Sequence, residues 1–84
     1  MRDERKRAEN ERKFTAWDEL PDGGRRYFFV VAGHHGWSAR YVKEVDAFEE
    51  TMKFYQEIYD HLGRLIEIHE KYPIDKGHIR TSGA

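Results

Sequence analysis

Apolar positions in this chain fall in short runs, and residues that reverse the backbone separate the runs at nearly regular intervals. FTAWDEL (Phe14 to Leu20) and RRYFFVVAG (Arg25 to Gly33) flank Pro21-Asp22-Gly23-Gly24. Proline suits the corner of a turn and glycine supplies positive φ, so these two runs read as a hairpin. Tyr27 to Ala32 is apolar on both faces, the pattern of a strand inside a sheet. After Gly33-His34-His35-Gly36, Trp37, Ala39 and Tyr41 alternate with Ser38 and Arg40, which marks a strand with one covered face. Ala47-Phe48-Glu49-Glu50 makes the next connection. Met52 to Tyr72 then offers two aromatic and β-branched arms around Asp60-His61-Leu62-Gly63, and Pro73 closes the second arm.

One apolar series opposes this reading. Phe48, Met52, Tyr55, Tyr59, Leu62 and Ile66 recur at steps of three or four, as on a helix face. A helix would carry Gly63 in its interior at about 1 kcal/mol, whereas Asp60 and Gly63 stand where a type I turn closing into a left-handed bulge needs them. Phe, Tyr and Ile on both arms also fit a pleated surface. The expected fold is therefore mainly β: a five-stranded antiparallel meander with turns near residues 22, 34, 48 and 61. The alternative is an α+β fold with a long helix over residues 46–70.

Residues 1–12, MRDERKRAENER, read as a charged tail, exposed or helical, ahead of a single sheet domain over residues 13–80. A sharper reading makes the tail an arm that touches an acidic partner or RNA. Ile74 to His78 are expected on the sheet or a neighbour, and residues 81–84 as a loose end. A lone meander leaves one face bare, and before Phe14 only Met1 and Ala8 offer apolar cover. Two sheets packed face to face, burying Phe28, Val30, Tyr55 and Ile68 or their opposites, would solve this, so a homodimer is expected.

Composition narrows the classes. In 84 residues, 38% are hydrophobic, 37% charged and 14% aromatic, which favours one folded domain with a modest core. The absence of cysteine excludes a disulfide framework, a Cys-based zinc site and thiol catalysis, and points to the cytoplasm. No apolar run approaches a membrane span, and no apolar signal segment follows the basic N-terminus. Abundant Glu, Lys and Arg would suit a thermophile. Residues 1–13 hold six basic and four acidic side chains and the remaining 71 hold nine and twelve, too mild a split for a dedicated nucleic-acid binder.

Candidate chemistry centres on histidine. His34 and His35 share a turn tip, where neighbouring side chains diverge and chelate poorly. His69, Asp75 and His78 bring two imidazoles and a carboxylate within ten residues, a candidate divalent-metal set. His69 or His78 with Glu67, Lys71, Arg40 and Tyr55 could instead cleave RNA without metal, one group taking the 2′-hydroxyl proton and a cation steadying the phosphate. Aromatic residues such as Tyr27, Phe28, Phe29, Trp37, Tyr41, Phe54 and Tyr55 could stack bases, although most suit the core better. No Gly-rich phosphate loop opens a helix and no cofactor is expected.

Asp60-x-x-Gly63-x-Leu65, a following strand and then Pro73-x-Asp75-x-Gly77-His78 together resemble the C-terminal part of TumE-type proteins, small prokaryotic toxins of toxin-antitoxin pairs. The resemblance implies a small prokaryotic protein with a partner protein. The family's His-rich closing segment is reduced here to His78, and no catalytic residue carries over. The leading expectation is non-enzymatic: a small cytosolic domain acting through self-association and protein contacts. A toxin-like ribonuclease and a divalent-metal-binding protein are the alternatives.

Overall fold

Asp60 turns the chain back on itself. Its N–H bonds to the Arg64 carbonyl at 2.9 Å, and the Gly63 N–H returns to the Asp60 carbonyl at 3.0 Å. The Asp60 carboxylate accepts from the Leu62 and Arg64 N–H groups at 2.9 Å each and from the Arg64 guanidinium at 2.8 Å. These donors, the Arg64 N–H foremost, hold the Asp60 carboxyl below its ordinary value. Gly63 takes φ +78°, a conformation open to glycine without steric cost. Met52 to Tyr72 is thus a hairpin, and the alternative helix over residues 46–70 does not form.

The computed structural model describes residues 1–73 and the backbone of 77–80. A helix α1 (Glu4–Phe14) precedes β1 (Ala16–Glu19), β2 (Arg25–Ala32), a short 3-10 turn (His34–Gly36), β3 (Ser38–Val45), β4 (Thr51–Tyr59), β5 (Leu65–Tyr72) and β6 (Gly77–Arg80). All strands join one antiparallel sheet in chain order, so the fold is mainly β with an N-terminal helix. The first five are the expected meander, and β6 extends it along β5. Ile74 and the end segment 81–84 lie outside the described residues. Among the described residues no helix is long and apolar enough to cross a membrane.

Pleating divides the side chains between two faces. On one, the ladder aligns Trp17, Tyr27, Lys43 and Phe54, with Phe29, Tyr41 and Gln56 in the next row and Val31, Ala39 and Ile58 beyond. On the other, Phe28, Val42 and Tyr55 stand in register. That second face is covered by its own long side chains: the Arg40 guanidinium lies 4.5 Å over the Phe28 ring, and the Tyr55 hydroxyl donates to Glu44 at 2.8 Å. Val42 is consequently buried without another layer above it.

The charged N-terminal segment covers part of the first face. Asp3 caps α1 by accepting from the Lys6 N–H at 3.1 Å, and Thr15 ends it in a left-handed conformation, φ 59°. The helix runs beyond the charged tail to Phe14, which is fully buried with Tyr27 and Val45 and packed by Phe29 and Phe54 at ring distances of 5.4 and 6.5 Å. One turn-end aromatic therefore supplies cover that the tail lacks. Eleven residues make a helix of about 16 Å, whereas strands of eight or nine residues span about 26–30 Å. The helix covers only one half of its face. Phe14→Ala should cost about 3–5 kcal/mol in urea unfolding, the usual cost of emptying an aromatic core position; a loss under about 1 kcal/mol would show that α1 is not anchored there.

Candidate functional site

Asp46 repeats the hydrogen bonding of Asp60 in the turn between β3 and β4. Its N–H bonds to the Glu50 carbonyl at 2.9 Å, the Glu49 N–H returns at 3.0 Å, and its carboxylate accepts from Phe48 and Glu50 at 2.9 and 3.0 Å. The residue equivalent to Gly63 is Glu49, at φ 73°. A side chain in that conformation costs roughly 1–3 kcal/mol and persists only where its surroundings demand it. They do, because Glu49 is turned inward and only 3% exposed.

The Glu49 carboxylate holds α1 to the sheet. The Tyr27 hydroxyl donates to Oε1, the Asn10 amide donates to the same oxygen at 3.4 Å, and Arg7 Nε lies 3.8 Å from Oε2. Burial, then the Glu49 contact, pushes the Tyr27 hydroxyl up to about 12. A second clasp stands beside the first: Arg25 donates to Glu11 at 2.7 Å and to Glu19 at 2.8 Å while its guanidinium lies 4.6 Å over Trp17. Oε1 takes both hydrogen bonds and Oε2 faces the Arg7 charge, so this carboxylate fastens helix and sheet together.

Beside this junction α1 and the sheet enclose a cleft of about 490 Å³. Phe14, Phe54 and Tyr72 give it aromatic walls, and Lys6, Lys13 and Lys43 give it charge. Lys6 is paired with Glu50 at 3.2 Å. Lys43 donates to Asn10 Oδ1 at 2.9 Å, and Lys13 lies over the Phe14 and Phe54 rings at 5.5 and 5.9 Å. Burial, with the nearby Lys13 charge, lowers the Lys43 pKa. At the far end of the same face lies a second, apolar hollow of about 420 Å³, walled by Val31, Trp37, Ala39 and Ile58.

The residues singled out for chemistry divide between the faces. Lys71 lies 5.4 Å over Tyr41 and 6.0 Å over Phe54, on the side of the helix. Glu67 and His69 share its pleat through their register with Ile58 and Gln56. Arg40 and Tyr55 are on the opposite face, engaged with Phe28 and Glu44, so the proposed ribonuclease set does not converge. His69 and His78 occupy facing positions in the β5–β6 ladder, and Asp75 lies outside the described residues. Among the described residues no three His, Cys, Asp or Glu side chains are placed to hold a metal ion. His34 and His35 are exposed, with ring centroids 6.3 Å apart. Glu49, Asn10 and Lys43 were not among the sequence candidates; the signal that could have found Glu49 is Asp46, three residues before it, as Asp60 stands before Gly63.

No family model, curated protein or solved structure matches this chain.

Two outcomes test the clasp. Glu49→Ala should cost about 3–5 kcal/mol, because Asn10 and Tyr27 lose their acceptor and Arg7 its counter-charge. Glu49→Gly should recover about 1 kcal/mol of that through its freer backbone, yet remain less stable than the parent in denaturant unfolding. A Gly variant as stable as the parent would mean the carboxylate contributes no more than the backbone strain it imposes. The Tyr27 hydroxyl, neutral in the fold to about 12 against an ordinary 10.0, stabilises fully below pH 10 and loses that contribution as pH rises toward 12. Tyr27→Phe should therefore flatten the fall in melting temperature across that window; an unchanged slope would contradict the assignment.

Proposed function

We propose that this chain acts through self-association, with the uncovered half of its sheet and the free edge of β2 receiving a second copy. The carrying observation is the length of β1. It pairs only with Arg25 to Phe28, which leaves Phe29 to Ala32 without a strand on that side among the described residues. Val30 and Val31 on this edge are 63% and 45% exposed. Exposed edges are ordinarily guarded by charge, proline or a covering element.

Here no charge guards the edge. Phe29 through Ala39 contains no Lys, Arg, Asp or Glu, in a chain of which 37% is charged. An uncharged antiparallel edge can meet its own copy about a two-fold axis without opposing like charges, the isologous arrangement usual in dimers. The apolar hollow formed by Val31, Trp37, Ala39 and Ile58 adjoins that edge and would close at the same time. The opposite face is a poorer surface for such packing, because Arg26, Glu44, Arg40 and Glu57 lie across it in ion pairs. This favours the helix-bearing face over one that buries Phe28 and Tyr55.

Sedimentation of the parent at micromolar concentration should give twice the chain mass. Val31→Lys alters an exposed position and should leave the fold within about 0.5 kcal/mol while yielding the monomer. A monomeric parent, or a Val31→Lys protein that remains dimeric, would overturn the proposal.

A further inference from the structure

The cleft beside α1 has a charge arrangement that stabilising the fold does not account for. Lys43 is partly buried and spends one of its three N–H donors on a neutral acceptor, Asn10. Lys13 leans on Phe14 and Phe54. Among the described residues neither ammonium has a carboxylate within ion-pair distance, although three carboxylates line the same cleft. Glu49 is committed to Tyr27, Asn10 and Arg7, and Glu50 to Lys6. Glu49 and the exposed Glu9 act on Lys43 only from beyond ion-pair distance, and neither accepts a bond from it. A partly desolvated ammonium without a carboxylate in direct contact is unfavourable, and an anion entering the cleft relieves it.

The walls restrict what that anion can be. Phe54 and the exposed Tyr72 line it, and about 490 Å³ lies within the size range of small-molecule sites. Three glutamates line the cleft alongside its three lysines, a balance that disfavours a chain of phosphates and favours a single charged head. We infer that this cleft binds a small organic anion with a flat apolar body, its head held by Lys43 and Lys13 and its ring laid against Phe54 and Tyr72. The site is separate from the β2 edge, so it stands or falls independently of self-association.

Benzoate, benzylammonium and inorganic phosphate separate charge from shape, and each can be titrated into the isotopically labelled full chain by NMR. Benzoate should give saturable shifts centred on Asn10, Lys43 and Phe54, with phosphate at least about tenfold weaker and benzylammonium without effect. Lys43→Met should weaken benzoate by about tenfold or more, the size of one charge-assisted hydrogen bond. Lys13→Met, at an exposed position where the methionine stem keeps the contact with the Phe14 and Phe54 rings, should weaken it in the same direction. Lys53→Met removes the same charge from the opposite face and should leave binding unchanged. Equal binding of benzylammonium, phosphate as strong as benzoate, or full affinity in both cleft variants would overturn the inference.

Discussion

A helix with almost no apolar surface must be held to a sheet, and the Glu49 clasp is how this molecule does it. Within α1 only Ala8 and Phe14 are apolar, so hydrophobic docking amounts to one ring, worth about 1.5–3 kcal/mol of burial. Exposed pairs such as Lys6 with Glu50 add little, being screened by solvent. What fixes the helix in place is a carboxylate carried inward by a strained turn, meeting Tyr27 from the sheet and Asn10 and Arg7 from the helix. The backbone cost at Glu49 is the counterpart of that attachment.

The rest of the architecture follows from where the clasp sits. It anchors α1 over the end of the sheet where β1, β2 and the β3–β4 turn meet, and the helix is too short to reach the opposite end. One face needs no further layer, because Arg40, Tyr55, Glu44 and Arg26 lie across its apolar centre. The other is divided into a covered half, with a charged aromatic cleft at its margin, and a bare half ending in the uncharged β2 edge. A covered half and a bare half on one face are the setting for the two proposals above.

Much of this was legible in the residues. Asp60 and Gly63, like Pro21 to Gly24, carry their turn geometry in their side chains, and the strands between them follow. The helical series through Phe48, Met52 and Leu62 misleads because those three residues lie exposed at or beside turns, so their spacing reflects no common face. The docking of α1 was hidden because it depends on polar contacts across long stretches of chain, which leave no periodicity. Glu49 was hidden because a glutamate in a left-handed turn breaks the local rule, and only Asp46 signals the geometry. The suggested nuclease residues were of suitable type, yet pleating sends Arg40 and Tyr55 to the face opposite Lys71, a separation that composition alone cannot express.

Amide hydrogen exchange followed over a range of protein concentrations tests the half-covered sheet most directly. The account predicts that α1 and Arg25 to Phe28 are protected at every concentration. The amides of Phe29 to Ala32 that do not bond to β3 should gain protection only as concentration rises. Equal protection of that edge at the greatest dilution, or an α1 that exchanges freely at all concentrations, would contradict it.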